Sequence, residues 1–332
     1  MIYVAHHIVV FAQSSSAASG SSADQGMNLL NVIVLAILQG VTELFPISSL
    51  GHTVIIPGLL GWGDLLSGSN FLPLVVMLHI GTSVALLSFF WRDWLKLLGG
   101  GLRVLKAGRI TPDVDPGGHG RILALVIVGS IPAGLIGVAF QKQLENNFKD
   151  PIIAAAFLVV NGAVLLTAER YARNQRKNAA RLANVRGKIS GAPAGGKAIT
   201  ELSFMQAAVI GFAQSFALIP GISRSGATMA AGMANGLDHE ESARFSFLMA
   251  APIILAAGIA EIPKLLHNQT MHALELAAIG GVISGIAAYL SVKFLMKYFE
   301  TNRLDPFAYY CAIVGLLAFG YFFYQALPLL QF

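Results

Sequence analysis

The sequence predicts an all-α polytopic membrane protein, and three observations lead to that fold class. Hydrophobic residues make up 55% of the 332 residues, whereas charged residues make up only 12%. Soluble domains carry about 25% charged residues, so this chain has about half the usual share. Apolar runs of about 20 residues also recur, which is the length that a helix needs to cross a hydrocarbon core of about 30 Å.

The distribution of charge separates this chain from nucleic-acid-binding proteins. The formal net charge is +5, but the basic residues cluster between hydrophobic runs, as they do in the cytoplasmic loops of membrane proteins. We therefore expect the bilayer as a partner and no nucleic acid. The single cysteine, Cys311, lies in an apolar run, so no intramolecular disulfide is expected.

The chain divides into four parts. Residues 1–26 hold a short apolar run without a preceding basic residue and then a serine-rich stretch, which does not fit a signal peptide. We interpret them as a disordered N-terminal extension or as the product of a misplaced start codon. Residues 27–169 form a first repeat, residues 170–202 a basic cytoplasmic loop, and residues 203–332 a second repeat.

Each repeat is predicted to hold a re-entrant broken helix pair followed by three transmembrane helices. The first pair runs over residues 28–44 and 51–62 and the second over residues 203–237, and prolines interrupt both. Each piece is too short to cross the membrane alone. The predicted spans are 72–91, 121–140 and 151–168 in the first half and 244–263, 274–295 and 306–327 in the second. The basic stretch after residue 91 is predicted to be a loop.

The basic loops also predict the orientation of the two halves. If both basic stretches lie in the cytoplasm, the span at residues 72–91 runs from outside to inside, and the first broken pair enters from outside. The second broken pair, which follows residues 170–202, then enters from the cytoplasm. The two halves are therefore predicted to be inverted repeats whose breaks meet near the midplane, where such proteins hold their sites.

The two breaks carry similar motifs. Residues 46–53 read P-I-S-S-L-G-H-T, and residues 220–228 read P-G-I-S-R-S-G-A-T. With one residue inserted after the proline, both follow the pattern P-I-S-x-x-G-x-T. Non-helical backbone at this depth is tolerated only where protein or a water-filled cavity surrounds it, so the pattern predicts a polar site inside the bilayer.

The first break offers candidates for catalysis. Gln39 and Glu43 are four residues apart and share one helix face, and an ionisable residue inside a membrane segment usually marks function. Ser49 and His52 are three residues apart, and a histidine can activate a hydroxyl group or take a phosphoryl group itself. We interpret His79, alone on the next span, as structural.

The second break offers groups that bind anions. Arg224 carries a planar, permanently charged guanidinium suited to phosphate, and it stands at the start of a helix, where backbone N–H groups favour an anion. Gln214 and Ser215 precede the break and are expected to line the same site. The predicted phosphate-binding residues are Ser48, Gly221, Ser223, Arg224, Ser225 and Thr228. No Walker loop, zinc-ligand spacing or dinucleotide fingerprint is present.

These motifs resemble those of the undecaprenyl-diphosphate phosphatase family, also called the bacitracin-resistance protein family. The resemblance rests on Q-G-V-T-E at residues 39–43 followed by P-I-S-S-L-G-H at residues 46–52, together with the motif at residues 220–228. It covers nearly everything from residue 27 to the C-terminus. Two positions depart from the family pattern: Gln39 is the uncharged choice, and Leu50 replaces a small hydroxyl residue.

The resemblance implies a function. Such enzymes remove the terminal phosphate of undecaprenyl diphosphate at the outer face of the bacterial inner membrane, which recycles the carrier lipid for peptidoglycan synthesis. The family's functional residues fall on Glu43, Ser49, His52 and Arg224, and a divalent cation, Mg²⁺ or Ca²⁺, assists. In this chain the cation would lie near Glu43, with a weaker role for Gln39.

Our mechanistic hypothesis is that Ser49 attacks the terminal phosphorus with His52 as its base, and the alternative is that His52 itself attacks. A rival function is a transporter or flippase of a phosphorylated polyprenyl lipid, because secondary transporters share the predicted architecture. A nucleophile beside a base favours the phosphatase. The sequence leaves open the lipid chain length, the choice of cation and whether the chain forms a homodimer.

Overall fold

The computed structural model describes residues 28–63, 71–147, 150–185, 196–267 and 270–327. Within these ranges the regular structure is helical throughout, with no β-strand. The extension expected over residues 1–26 lies outside the described residues. The α-helices are α1 Leu29–Thr42, α2 Ser49–Leu59, α3 Phe71–Phe89, α4 Trp91–Ala107, α5 His119–Asn147, α6 Pro151–Val185, α7 Phe204–Ser215, α8 Arg224–Ala234, α9 His239–His267, α10 Met271–Phe299 and α11 Asp305–Ala326.

Six of these helices are long and apolar enough to cross a membrane. They are α3, α5, α6, α9, α10 and α11, and they coincide with the six predicted spans. In α5 only 17% of the most apolar stretch is buried inside the protein, so most of its apolar side chains face outward, where lipid would cover them. The prediction of an all-α polytopic membrane protein is confirmed.

Two stretches predicted as basic loop are helical. Residues 91–107 form α4, whose exposed apolar side chains follow helical spacing on one face: Trp91, Leu95, Leu98, Leu102 and Leu105. The charged residues between them concealed this periodicity in the sequence. Helix α6 likewise continues to Val185, well past the predicted start of the loop at residue 170. Most of the rest of that loop, residues 186–195, lies outside the described residues.

Small residues let the long helices approach closely. Helix α3 packs along α10 and α6 packs along α11. A Cβ atom on Gly81 of α3 would collide with the backbone carbonyl oxygen of Gly281 on α10, and one on Gly162 of α6 would lie 2.8 Å from that of Ala308 on α11. Such close contacts are typical of membrane helices, which gain stability from backbone proximity rather than from burial of apolar surface.

The first helix of each broken pair packs against a span from the other half of the chain. Helix α1 packs on α10, where Gly40 meets the backbone of Ser284, and α7 packs on α5, where Gly211 meets Gly129. These two contacts correspond to each other under the predicted repeat. The inverted orientation of the halves stays a prediction.

The packing of α3 on α10 gives a test of stability. We expect Gly81→Ala to lower the free energy of unfolding by about 1–3 kcal/mol, because the added methyl group overpacks a closed contact. Gly134→Ala on α5 is the matched control, because nothing lies within 4 Å of its Cβ position and both substitutions gain the same helix propensity. Thermal unfolding in detergent measures the difference, and equal midpoints for the two variants would contradict the packing argument.

Candidate active site

The first turn joins α1 to α2. Within it Ser48 has a φ of 70°, the one positive φ of a non-glycine residue in the described part of the chain. Such a conformation costs about 1–3 kcal/mol and persists only where the surroundings hold it. The Ser48 hydroxyl accepts a hydrogen bond from the Gly51 N–H at 3.2 Å and caps α2. Ser48, which we predicted to bind phosphate, therefore caps a helix in this structure.

The second turn joins α7 to α8 through a short 3₁₀ helix, Phe216–Leu218. Gly221 has a φ of +99°, and a Cβ there would collide with the carbonyl oxygen of Ala154 on α6. Its packing against α6 thus explains the glycine without the predicted approach to phosphate. Ser223 caps α8, because its hydroxyl accepts from the Gly226 N–H at 3.1 Å.

The two turns touch each other. A Cβ on Gly51 would lie 3.0 Å from the Cα of Gly221. Asn161 on α6 bridges the turns, because its side-chain amide donates to the Pro46 carbonyl at 3.0 Å and accepts from the Ser223 N–H at 3.0 Å. Asn161 is 1% exposed, so this bridge is shielded from solvent. Asn161 was not among the predicted site residues, because its only signal in the sequence is an amide inside a predicted span.

Two predicted phosphate-binding serines also hold the turns together. The Ser225 hydroxyl donates to the Phe45 carbonyl at 3.1 Å, and the Ser223 hydroxyl lies 3.5 Å from the same oxygen. The two hydroxyl oxygens are 3.0 Å apart. Both serines are buried, and their contacts add to the hydrogen bond that the Phe45 carbonyl accepts from the Ile47 N–H at 2.7 Å. Their place in the structure is therefore between the turns.

Glu43 is the centre of the polar cluster. Its Oε1 accepts from Arg224 Nη2 at 2.9 Å, which joins the first turn to the second by an ion pair. Its Oε2 accepts from the Ser49 hydroxyl at 2.5 Å and from Gln39 Nε2 at 2.9 Å. The structure thus brings three other predicted site residues to the Glu43 carboxylate, which is 7% exposed.

His79, which we interpreted as structural, lies beside this cluster. Its Nε2 lies 3.5 Å from Glu43 Oε2. Its Nδ1 lies 2.8 Å from the Val75 carbonyl oxygen; because a carbonyl only accepts, Nδ1 carries a proton. A titratable residue inside a span was the available signal, and the lack of a neighbouring motif led us to set it aside.

His52 does not contact Ser49 in the predicted way. Its Nδ1 lies 2.7 Å from the Ser48 carbonyl oxygen, and its Nε2 lies 2.9 Å from the Tyr310 hydroxyl on α11. The Ser49 hydroxyl donates to Glu43 instead. The predicted pairing of serine and histidine is therefore wrong for this structure: a spacing of three residues placed both at the start of α2 but did not place them face to face.

Three further predicted residues lie apart from the carboxylate. The Thr228 hydroxyl is 2.8 Å from the Arg224 carbonyl oxygen and 2.6 Å from the Ser246 hydroxyl on α9, so it holds α8 to its neighbour. The phosphate contact predicted for Thr228 would require it to leave these partners. Gln214 and Ser215 have buried polar atoms without a hydrogen-bond partner among the described residues, and neither bonds to Glu43 or Arg224.

The groups that surround the Glu43 carboxylate favour the binding of an anion next to Arg224. Ser49 is the first residue of α2 and Arg224 is the first residue of α8, so two helix N-termini, each the positive end of a helix dipole, stand at the site. Arg224 Nη1 is buried and has no hydrogen-bond partner among the described residues, although Nη2 is paired. The guanidinium can therefore hold Glu43 and bind a phosphate oxygen at the same time.

The predicted metal ligands do not make a complete metal site on their own. Within the described residues no group of three or more histidine, cysteine, aspartate or glutamate side chains could hold a metal ion. Gln39 Oε1 is nevertheless buried without a hydrogen-bond partner there, and its residue contacts Glu43. A carboxylate and an amide oxygen suit Mg²⁺, which in proteins commonly takes further oxygen ligands from substrate phosphates and water.

Comparison with known proteins bears on this arrangement. The family model of the bacitracin resistance protein BacA matches residues 32–317. The undecaprenyl-diphosphatase of Acidiphilium cryptum is 44% identical over 297 residues, which cover 88% of this chain and 97% of that protein. Undecaprenyl-diphosphatase 2 of Chromobacterium violaceum is also 44% identical over 297 residues, covering 88% and 98%.

A third relative, the undecaprenyl-diphosphatase of Granulibacter bethesdensis, is 44% identical over 308 residues, which cover 90% of this chain and 98% of that protein. The family match includes both turns and every residue of the polar cluster. The resemblance inferred from the two motifs is thus confirmed, and the chain belongs to the bacitracin resistance protein BacA family.

Proposed function

We propose that this chain is an integral membrane phosphatase that removes the terminal phosphate of undecaprenyl diphosphate. The observation that carries the proposal is the contact of a serine hydroxyl with a buried carboxylate, beside an arginine whose Nη1 has no hydrogen-bond partner within the described part of the chain. Relatives that share 44% of their residues and nearly their whole length are undecaprenyl-diphosphatases. The reaction is hydrolysis of a phosphoric anhydride. Its lipid product, undecaprenyl phosphate, is the carrier that peptidoglycan synthesis uses again, and this recycling confers resistance to bacitracin.

In the first step the Ser49 Oγ attacks the terminal phosphorus of the diphosphate, and its proton passes to Glu43 Oε2. The bond between that phosphorus and the bridging oxygen breaks, and undecaprenyl phosphate leaves with the electron pair. In the second step water attacks the phosphoserine, Glu43 returns the proton to the leaving Ser49 oxygen, and inorganic phosphate departs with both hydrogen atoms of the water. Proton transfer of this kind contributes about 10²–10⁴-fold to the rate.

Glu43 takes the place that we first gave to His52 as the base. The Ser49 hydroxyl is already hydrogen-bonded to Glu43, whereas both ring nitrogens of His52 have other partners. Arg224 and the N-termini of α2 and α8 would hold the diphosphate. Phosphoryl transfer depends mainly on such positioning and charge stabilisation, which suits a preformed polar cluster.

We further propose a divalent cation, Mg²⁺ or Ca²⁺, which Glu43, Gln39 Oε1 and the substrate would hold jointly. When bound, the cation would offset negative charge on the diphosphate. This assignment rests on the buried amide oxygen without a partner and on the preference of these ions for oxygen ligands.

We place the protein in the bacterial inner membrane with the active site open to the periplasm. Support comes from the exposed basic residues of α4, which lie between two spans and therefore favour the cytoplasmic side; they are Arg92, Lys96, Arg103 and Lys106. With α4 in the cytoplasm, the pair α1 and α2 enters from the opposite face. The transporter, the rival function, is not favoured, because it needs no serine hydrogen-bonded to a carboxylate.

The phosphatase is tested by release of inorganic phosphate from undecaprenyl diphosphate by the purified protein in detergent. We expect release that requires Mg²⁺ or Ca²⁺ and that stops with a chelator. Arg224→Ala should lower kcat/KM by about 10²–10³-fold, because the lost guanidinium stabilises charge in the transition state. The matched control is Arg244→Ala, which also removes an arginine from an ion pair, at 3.0 Å from Asp93, and should change the rate less than threefold.

The rival function defines the contrary outcome of that assay. If well-folded wild-type protein binds the lipid but releases no phosphate, the cluster serves binding or transport, and the phosphatase proposal is wrong. Equal losses in Arg224→Ala and Arg244→Ala would instead show that the assay reports folding rather than the site.

The identity of the nucleophile gives a second prediction. Brief reaction with substrate labelled in the terminal phosphate should leave an acid-stable phosphoserine at Ser49, located by mass spectrometry of peptides. Ser49→Ala should abolish the label, and Glu43→Gln, which keeps the shape but loses the base, should slow its formation by about 10²–10⁴-fold. Ser48→Ala, one residue away, should keep it. An acid-labile phosphohistidine at His52 would overturn this assignment.

The site also depends on the bridge between the turns. We expect Asn161→Leu to lower the free energy of unfolding by about 1–3 kcal/mol, because the Pro46 carbonyl and the Ser223 N–H lose their buried partner. Phosphate release should fall as well, since Arg224 follows Ser223 directly. Cys311→Ala is the milder control, because it removes a thiol that lies 3.3 Å from the same amide and 3.8 Å from the Pro46 carbonyl but leaves the amide bridge in place. If Asn161→Leu releases phosphate as fast as Cys311→Ala, the Asn161 bridge does not support the active site.

A further inference from the structure

The contact between His52 and Tyr310 has no place in the mechanism above. His52 lies in the first turn of α2 and is 1% exposed, while Tyr310 lies on α11 and is 40% exposed. The Tyr310 hydroxyl is 2.9 Å from His52 Nε2. The two rings also stack, with centroids 5.7 Å apart and planes 14° from parallel. A contact between residues 258 positions apart in sequence fixes α11 against the start of α2.

The partners of His52 determine its tautomer. The Ser48 carbonyl oxygen can only accept a hydrogen bond, so Nδ1, which lies 2.7 Å from it, carries the proton. In the neutral imidazole Nε2 is then the acceptor, and the Tyr310 hydroxyl must be the donor. The tyrosine hydroxyl is thus the group that favours this tautomer over the one with the proton on Nε2.

The same histidine supports the strained residue beside the nucleophile. Ser48 has a φ of 70°, and its carbonyl oxygen accepts from His52 Nδ1. Ser49 follows directly, and its hydroxyl must point at Glu43 for the proposed reaction. The Ser48 carbonyl also accepts from the His52 backbone N–H at 3.2 Å, so rotation of the His52 ring would remove the shorter of its two hydrogen bonds and loosen the turn.

We propose that Tyr310 is a positioning residue that acts through His52. Its hydroxyl fixes the ring of His52 in the Nδ1–H tautomer, the ring holds the Ser48 carbonyl, and this hydrogen bond keeps the Ser49 hydroxyl on Glu43. This inference rests on the proposed function, because it assigns Tyr310 to the alignment of that nucleophile. Small displacements of a reacting group cost large factors in rate, so the contact matters although the Tyr310 hydroxyl bonds to His52 and not to Ser49 or Glu43.

Kinetics of Tyr310→Phe test the proposal, because phenylalanine keeps the stacked ring and loses only the hydroxyl. We expect kcat to fall by about tenfold, while KM for the lipid changes less than twofold. Tyr309→Phe is the matched control: it removes a hydroxyl from the neighbouring residue, which is 56% exposed, and should keep the wild-type kcat. Thermal unfolding of both variants in detergent checks that they fold equally well.

A double-mutant cycle separates action through His52 from a general structural effect. In the His52→Ala background, Tyr310→Phe should lower kcat less than twofold further, because residues that act as one unit have non-additive effects. A wild-type kcat in Tyr310→Phe would overturn the proposal. So would a tenfold loss that persists in the His52→Ala background.

A spectroscopic measurement keeps the inference independent of the activity. With ¹⁵N-labelled histidine, the resonances of His52 are those that disappear in His52→Ala. In the wild type they should show a protonated Nδ1 and an unprotonated, hydrogen-bonded Nε2, and Tyr310→Phe should shift Nε2 toward the value of a nitrogen without a hydrogen bond. If the wild type releases no phosphate, the proposed function fails, but an unchanged Nε2 resonance in Tyr310→Phe is what would refute the contact itself.

Discussion

The ion pair between Glu43 and Arg224 is the interaction on which the rest of the structure depends. The two residues come from different turns, 181 positions apart in sequence, and meet at 2.9 Å with side chains that are 6% and 14% exposed. Removing one partner of a buried pair leaves an uncompensated charge, which costs about 3–5 kcal/mol. The fold must therefore bring both turns to the same place, and the close approach of Gly51 and Gly221 is how it does so.

The turns carry a second constraint, because their backbone leaves helical structure deep inside the protein. A buried carbonyl or N–H group without a partner destabilises the fold, and at membrane depth water does not supply one. Ser225 bonds to the Phe45 carbonyl, and Asn161 bonds to the Pro46 carbonyl and the Ser223 N–H. Serines that we predicted to bind phosphate thus donate hydrogen bonds to the backbone of the turns. These hydrogen bonds hold the Glu43 carboxylate and the Arg224 guanidinium at the same place.

The parts of the molecule that could be predicted are those with a local signal. Apolar length located all six spans, the repeated motif located Ser49 and Arg224, and an ionisable residue inside a membrane segment located Glu43. His79, Asn161 and Tyr310 escaped because each reaches the site from another helix, and no local spacing records such a contact. The pairing of Ser49 with His52 failed for a related reason: sequence distance placed both in one turn, but the tertiary partners of each side chain decided which way it points.

The charges around Glu43 also explain why the proposal includes a cation. In the cluster the carboxylate of Glu43 and the guanidinium of Arg224 largely cancel, so these side chains alone leave the several negative charges of a diphosphate almost uncompensated. The N-termini of α2 and α8 each contribute about half a positive charge, which together is still short of what a diphosphate needs. A divalent cation shared between Glu43, Gln39 and the substrate would supply the remainder, and Gln39, being neutral, would let it do so without adding a second negative charge to the site.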